Sequence, residues 1–156
     1  MSAEVTGLVF REATAADLPS VLALLADDDI ARERGGYGPA VSDEVTAAFG
    51  AITADPRNEL VVADEAGSVV GTCQLTFIPG LSRGGAERMT IEAVRVRADR
   101  RGAGIGRRLM AYALSRARER NCALAQLTTD KRRADAHRFY ESLGFVASHE
   151  GMKLIL

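Results

Sequence analysis

The sequence predicts an α/β or α+β fold in which one mixed sheet is flanked by helices. Two observations predict this class: short apolar or alternating segments typical of strands, and longer segments whose apolar residues recur at helical spacing. They follow one another in the order β-α-α-β-β-β-α-β-α-β-β, and elements interleaved in this way form layered α/β architectures. A third observation sets the domain count, because 156 residues without a Pro/Gly/Ser-rich linker indicate a single domain over 1–156.

The first six predicted elements extend from residue 8 to residue 97. The alternating segment LVFREAT is a short strand, and Thr14 then caps a helix over AADLPSVLALL. After the charged, glycine-rich loop 27–39, Ser42 caps a second helix that runs through Ile52. The segments ELVVAD and SVVGTCQLTFI form two strands around the turn EAGS, and MTIEAVRVR (89–97) forms the next strand.

The remaining elements begin with a glycine-rich turn. The stretch RRGAGIGRRLM opens a long helix from Ile105 to about Asn121, ALAQLTT is a strand, and ADAHRFYESLG is a helix that Gly144 ends. The segments FVASH and MKLIL are predicted to be the last two strands. Pairing through a strand such as MKLIL would offer a simple route to a homodimer.

Composition and charge argue against several classes of protein. Lys and Arg number 20 against 21 Asp and Glu, so the net charge of −1 gives no general attraction for nucleic acid. The arginines of 95–108 have no interleaved aromatic residues, so a nucleic-acid binder is the weakest interpretation. Cys73 and Cys122 lack metal-ligand spacing, and no metal site is expected. With no signal-peptide pattern and no apolar run near the ~20 residues of a bilayer span, the expected location is cytoplasmic, away from the membrane.

The glycine stretch has the composition of a phosphate site. The N–H groups of a helix's first turn and the helix dipole favour anions, and glycine lets a ligand approach the backbone. Gly102, Gly104 and Gly106 alternate strictly, so they do not match the dinucleotide fingerprint, and Arg107 stands where a P-loop has lysine. Taken alone, the stretch fits equally well a tight turn beside a solvated arginine face.

Two motifs at a specific separation favour the phosphate interpretation. The strand VRV followed by Arg101-x-x-Gly104-x-Gly106, and the later FYESLGF (139–145), resemble the GCN5-related N-acetyltransferase superfamily over about residues 88–147. The resemblance implies a mostly antiparallel sheet and acetyl-CoA as co-substrate. Within the superfamily, LTTDKRRADAHRFYESLGF is similar to small-amine acetyltransferases related to aminoalkylphosphonate N-acetyltransferases. The chain departs from many members at Arg133, where they have asparagine; Arg133 could approach a phosphate instead.

The resemblance implies a binding site between the strands at 91–97 and 123–129. The pyrophosphate would lie on the amides of the glycine stretch, and backbone groups of two valines would pair with the pantetheine arm as an added strand does. An N–H near Val94 would polarise the thioester carbonyl. The expected contacts are Val94, Arg95, Val96, Arg101, Gly102, Ala103, Gly104, Ile105, Gly106 and Arg107.

Two side chains are candidates for proton transfer. Glu92 is a carboxylate in an apolar strand and is expected to act as general base, directly or through water, on the face of Val94 unless a bulge intervenes. The alternative is a structural Glu92 paired with an arginine such as Arg95. Tyr140 is the candidate acid for the departing thiolate, and the alternative is a core aromatic residue. His137, one turn away, is a second candidate base or a solvated helix residue.

These residues predict an acetyl-CoA-dependent N-acetyltransferase that acts on a primary amine of a small molecule by direct attack on the thioester. A non-catalytic acyl-CoA-binding or sensing domain with the same site is the alternative. The amine stays open, because the acidic loop 27–39 would attract a cation. An amine with a phosphonate or carboxylate would equally suit the basic residues Arg32, Arg34, Lys131 and Arg132. Free CoA release in the presence of an amine separates the two functions.

Overall fold

The sheet of the computed structural model contains five strands arranged in chain order, and the structure describes residues 7–28, 33 and 40–156. Strands β1 to β4 pair antiparallel, and β5 pairs parallel with β4, which confirms the mixed, mostly antiparallel sheet. The strands are β1 (Leu8–Glu12), β2 (Asn58–Glu65), β3 (Ser68–Ile78), β4 (Arg88–Val96) and β5 (Leu124–Leu127).

Four helices cover this sheet in the part of the chain that is described: α1 (Leu18–Ala26), α2 (Asp43–Ala54), α3 (Ile105–Glu119) and α4 (Ala134–Ser142). The predicted caps form at the first two. The Asp17 carboxylate accepts the Thr14 N–H at 2.7 Å before α1, and the Ser42 hydroxyl accepts the Val45 N–H at 3.2 Å in α2. Among the described residues, no helix is long and apolar enough to cross a bilayer.

The two faces of the sheet pack against different helices because strand side chains alternate. Val62 of β2 packs with Val21 of α1, whereas its neighbour Val61 belongs to the cluster that contains Leu109 of α3. This second cluster includes the largest buried side chain, Phe77. The fully buried core therefore lies between α3 and the strands β2 to β4.

Strand β4 has two irregularities that shape the site. Its pairing with β5 ends at Ile91↔Leu127, although β4 itself continues to Val96. Towards β3, the register shifts between Gln74↔Glu92 and Thr72↔Arg95, so that two residues of β4 oppose one residue of β3. This is a β-bulge, and Ala93 within it has a φ of +53°. Beyond Ile91, β4 thus has an edge that β5 does not cover.

The two strands predicted at the C-terminus are wrong. From Phe145 to Leu156 the chain contains no strand, and the order of the described elements ends with β5 and α4. Phe145 packs against the core, but Val146, Met152 and the residues after it expose their apolar side chains. Their composition is that of strands, yet a strand forms only where a neighbouring strand receives its backbone hydrogen bonds. Within one described chain these residues have no such neighbour.

Candidate active site

The open edge of β4 presents backbone groups of two valines. Arg97 donates its N–H to Val70 O of β3 at 2.8 Å, so alternate residues of β4 before it direct their N–H and C=O groups away from β3. The carbonyls concerned receive arginine side chains: Val94 O accepts from Arg95 Nη1 at 2.9 Å, and Val96 O accepts from Arg101 Nε at 3.2 Å. Both carbonyls thus lie on the edge of β4 that β5 does not cover.

Glu92 lies on the other face of the sheet from those valines. Glu92 pairs with Gln74 of β3, and Arg95 pairs with Thr72 two residues earlier on the same strand. Thr72 pairs on its other side with Val62 of β2, which packs on the α1 side of the sheet. Cross-strand partners share a face, so Glu92 faces the α1 side. The bulge adds one residue to β4 and so reverses the alternation of its side chains. For this reason Glu92 and Val94 lie on opposite faces of the sheet and not on the common face that regular alternation predicts. Val94 instead packs into the α3-side cluster.

Glu92 is exposed, and the structure records no ion pair for it among the described residues. Arg95, the partner expected if Glu92 were structural, lies beside another carboxylate, with Arg95 Nη2 at 3.4 Å from Asp28 Oδ2. The Glu92 carboxylate therefore lies next to the bulge and is accessible to solvent.

The start of α3 has the conformation of an anion-binding turn. Gly104 precedes the helix with a φ of +81°, and Gly102 has the same value. A Cβ at Gly104 would meet nothing within 4 Å, so glycine is needed there for its backbone conformation rather than for space. The first helical bond is Arg108 N–H to Gly104 O at 3.1 Å, which leaves the N–H groups before Arg108 without helical acceptors.

Buried neighbours hold this turn beside the open edge. Ile105 is buried and Ala103 packs against its cluster, so the turn is anchored to the sheet. A Cβ at Gly106 would lie 3.7 Å from Val96 Cγ2 of β4 and 3.6 Å from Phe139 Cζ of α4. The start of α3 therefore lies between the open edge of β4 and helix α4.

The arginines around the turn separate into two groups. Arg97 and Arg100 are engaged within the protein, the first with Asp99 and the second with Glu65 of β2. Arg101 and Arg107 are exposed at the turn, and Arg107 also donates to Ser142 Oγ at 3.0 Å. Arg101 and Arg107 thus place guanidinium groups beside the turn, where Arg101 also donates to Val96 O and lies 3.9 Å from Asp27.

The ring of Tyr140 packs as the core interpretation expects, and its role as an acid stays a prediction. Its ring packs against Phe139 and Phe145, with centroids 5.2 and 6.0 Å apart, and contributes to the α3-side core. Its hydroxyl has no hydrogen-bond partner among the described residues. Burial raises the pKa of Tyr140, an effect opposed by the nearby charges of Arg95 and Arg133. The hydroxyl is therefore held in its protonated form.

The structure reveals an ion cluster that sequence reasoning missed. Asp28, just after α1, forms an ion pair with Arg133 and lies 3.4 Å from Arg95. Its side chain is 14% exposed. Arg133 thus extends towards the end of α1, although the sequence suggested a phosphate as its partner. No local pattern signals this cluster, because its members are separated by up to 105 positions along the chain.

The remaining candidates lie outside this arrangement. His137 Nε2 is 3.3 Å from Asp130 O, and His149 is exposed beside Ser148. Cys73 is buried, and burial raises the pKa of its thiol to about 12, while Cys122 is half-buried. Among the described residues, no group of three or more His, Cys, Asp or Glu side chains could hold a metal ion.

Comparisons with known proteins agree with this geometry. Residues 22–145 match the model of the Acetyltransferase (GNAT) family. The chain is 34% identical over 139 residues to the aminoalkylphosphonate N-acetyltransferase of Salmonella typhimurium, which covers 89% of this chain and 85% of that protein. It is 48% identical to a transcriptional regulator from Bacillus halodurans C-125, with a TM-score of 0.91, over 96% of this chain and 99% of that one. A Trypanosoma brucei acetyltransferase is 28% identical, with a TM-score of 0.79, over 96% and 99%.

Proposed function

The chain belongs to the acetyltransferase (GNAT) family, and on this premise we propose that it is an N-acetyltransferase that moves the acetyl group of acetyl-CoA to the primary amine of a small molecule. The family uses acetyl-CoA as co-substrate, which supports an acyltransferase activity in general terms. The observation that carries the specific proposal is the uncovered edge of β4 at its bulge, directly beside the start of α3.

The chain's own groups fit acetyl-CoA at this place. The N–H groups at the start of α3 bind the pyrophosphate, with charge from Arg101 and Arg107. Backbone groups of Val94 and Val96 bind the pantetheine arm, which requires the guanidinium groups now on their carbonyls to move aside. Acetyl-CoA supplies the activated acyl group as a thioester. An N–H at the bulge is positioned to polarise the thioester carbonyl.

Glu92 acts as the general base in this proposal. An alkylammonium group has a pKa near ~10.4, so the amine must lose a proton before its nitrogen attacks the carbonyl carbon. Glu92 takes that proton directly or through water from the α1 side of the sheet. As the new C–N bond forms and the C–S bond breaks, Tyr140 donates its proton to the departing sulfur.

The ion cluster supports an acceptor that carries an anionic group. Arg95 and Arg133 bring two positive charges to Asp28, on the face of the sheet that Glu92 shares with Arg95. Arginine side chains at this position favour an amine whose other end is a phosphonate, a phosphate or a carboxylate. A relative that acts on aminoalkylphosphonates agrees with this class of acceptor.

One comparison favours a second candidate function. The 48% identical relative is described as a transcriptional regulator, and an acyl-CoA-binding domain that senses rather than reacts would use the same turn and edge. The two functions differ in one measurement, because only an enzyme releases CoA when an amine is present.

The test follows CoA release from acetyl-CoA with a panel of acceptors. Aminoalkylphosphonates and amino acids are compared with alkylamines of equal length that lack the anionic group, and with a lysine-containing peptide. We expect amine-dependent release that is fastest with the anionic amines. Acetyl-CoA binding in calorimetry without release from any amine would favour the sensing domain, and equal rates with neutral alkylamines would contradict the role of the ion cluster.

A further inference from the structure

We propose that the Asp28 carboxylate occupies the place where the anionic group of the acceptor binds, so that the acceptor has to displace it from Arg95 and Arg133. Asp28 is then a residue that sets acceptor affinity by competing with the acceptor inside the same molecule. The inference rests on the proposed function, because it concerns the anionic group of the proposed acceptor. Three features carry it: the convergence of the two arginines, their position beside the reacting groups, and the attachment of Asp28 to the end of α1.

Asp28 joins two arginines that come from distant parts of the chain. Arg133, just before α4, donates from Nη2 to Asp28 Oδ2, and Arg95 Nη2 of β4 lies 3.4 Å from the same oxygen. The side chains of Arg95 and Arg133 are only 18 and 24% exposed. A guanidinium group presents several N–H donors in one plane, so two that converge on one point form a site for an oxyanion. A phosphonate, a phosphate or a carboxylate offers the same kind of oxygen atoms that Asp28 offers there.

The two arginines lie beside the groups proposed to react. Arg95 also donates from Nη1 to Val94 O at 2.9 Å, on the edge of β4 where the pantetheine arm is proposed to bind. The charges of Arg95 and Arg133 both act on the hydroxyl of Tyr140 and oppose the rise of its pKa. Arg95 shares a face of the sheet with Glu92, and their partners on β3 are two residues apart, a separation of about 7 Å. An anion held by the arginines is therefore a short chain away from an amine next to Glu92.

The main chain at the end of α1 holds the Asp28 carboxylate near the arginines. Asp27 donates its N–H to Ala23 O at 3.1 Å, and Asp28 donates its N–H to Ala26 O at 2.9 Å. These bonds do not involve the carboxylate, so a rotation of the Asp28 side chain releases both guanidinium groups while α1 stays folded. A tethered group has a high effective concentration, and it lowers the apparent affinity of a free anion by the fraction of molecules in which the site is open. Asp28 thereby keeps the two arginines paired between turnovers and excludes anions that bind weakly.

Titrations with anions that carry no amine test the exchange directly. Ethylphosphonate, ethyl phosphate and propionate are added to the full chain without acetyl-CoA, and binding is followed by protein NMR. Asp28→Asn keeps the shape of the side chain without its charge, and we expect the affinity for the anions to rise on the order of 10-fold. Asp28→Glu keeps a carboxylate and should stay closer to the wild type. The anion that binds most tightly identifies the anionic group, and unchanged or weaker binding by Asp28→Asn would overturn the proposal.

The wild type itself gives a second measurement that does not depend on a variant. Displacement of the carboxylate should shift the amide signal of Asp28 as ethylphosphonate binds, and binding that leaves this signal unchanged would overturn the proposal. In Asp28→Asn two half-buried arginines lose a negative charge, so its thermal midpoint should be lower and ethylphosphonate should raise it by more than in the wild type. An equal or smaller rise of the midpoint would contradict the exchange.

Glu33→Gln is the matched control, because it removes one negative charge from an exposed ion pair with Arg132, whose Nη1 is 2.7 Å from the Glu33 carboxylate. Its anion affinity should equal that of the wild type, and a rise as large as in Asp28→Asn would assign the effect to net charge and overturn the proposal. In turnover, Asp28→Asn should lower the KM for aminoethylphosphonate clearly more than the KM for propylamine, and equal changes would contradict the exchange. The titrations need no reaction, so a chain that releases no CoA with any amine would refute the proposed function, while the titrations would still decide the role of Asp28.

Discussion

The part of the sheet around β2 and β3, here called the closed end, is packed more completely than the part around β4 and β5, here called the open end. Around β2 and β3 the side chains of Val61, Leu75 and Phe77 are 0% exposed, and strands cover both edges of each strand. Around β4 and β5 the pairing stops at Ile91, a bulge interrupts the register, and Val94, Leu127 and Leu143 are only partly buried. The candidate site lies in this second part of the sheet. Unused hydrogen-bonding groups are costly when buried, so a fold keeps them where a ligand or partner will bind.

Glu92→Gln should give the largest functional effect at the open end. Loss of a general base typically lowers turnover by ~10²–10⁴-fold, and more strongly at low pH, where more of the amine is protonated. Because Glu92 is exposed, the thermal midpoint should not change. The measurement is the CoA-release rate against pH, with acetyl-CoA affinity as the control. A wild-type profile would make Glu92 structural and assign the proton to another group.

Phe77→Ala tests the closed end. Removal of a buried phenylalanine costs about 3–5 kcal/mol of stability, and the Arg120 guanidinium, 4.1 Å above the Phe77 ring, would lose its aromatic partner. Phe145→Ala is the matched change at the half-buried end and should cost clearly less. Urea unfolding of both variants compares the two ends directly. Equal losses would mean that the open end is as tightly packed as the closed one.

Gly104→Val should weaken acetyl-CoA binding while the fold is retained. The left-handed conformation costs a residue other than glycine about 1–2 kcal/mol, and a branched side chain would stand where the phosphate approaches. Gly106→Ala is the stability control, because Gly106 lacks a positive φ and an added Cβ would make ordinary contacts. Calorimetry with acetyl-CoA gives the result. Unchanged affinity in folded Gly104→Val would refute the phosphate role of the turn.

Tyr140→Phe separates proton donation from packing, because it removes only the hydroxyl. If Tyr140 protonates the thiolate, turnover should fall by less than in Glu92→Gln, since a thiolate can leave unassisted, and acetyl-CoA affinity should hardly change. If Tyr140 acts only through its ring, turnover and stability should both stay near the wild-type values, because the hydroxyl has no hydrogen-bond partner among the described residues to lose. Thermal midpoint and CoA-release rate from one preparation distinguish these results.

Asp17 gives the smallest expected effect, at the closed end. Its hydrogen bonds from the Arg11 side chain lower the pKa of Asp17 to about 2. A carboxyl group with a lowered pKa stabilises the fold above its unfolded pKa, and that contribution is lost as the pH falls from about 4 towards 2. Asp17→Asn should be less stable at neutral pH and should lose less stability over this interval. Thermal midpoints against pH for both proteins measure it, and parallel curves would contradict the ion pair.

Local sequence patterns were sufficient to predict the strands of the sheet and the motifs of the candidate site. Apolar alternation located β1 to β5, and the spacing of Gly104 and Gly106 located the start of α3, because both signals act over a few residues. The C-terminal strands were predicted wrongly from the same kind of signal. MKLIL has the composition of a strand, but a strand forms only if another strand pairs with it, and composition does not reveal that. The face of Glu92 depended on a bulge, and the pairing of Asp28 with Arg133 depended on the fold bringing distant residues together.

The arginines on the open edge of β4 have a consequence for the protein before it binds a ligand. An uncovered strand edge is a template on which any extended chain can add, and this is a common origin of aggregation. Arg101 covers the carbonyl of Val96, and Arg95 covers that of Val94. Two charged guanidinium groups on these carbonyls discourage the backbone of another chain from pairing with the edge. The same arginines that flank the proposed site therefore also protect this strand against unwanted strand addition.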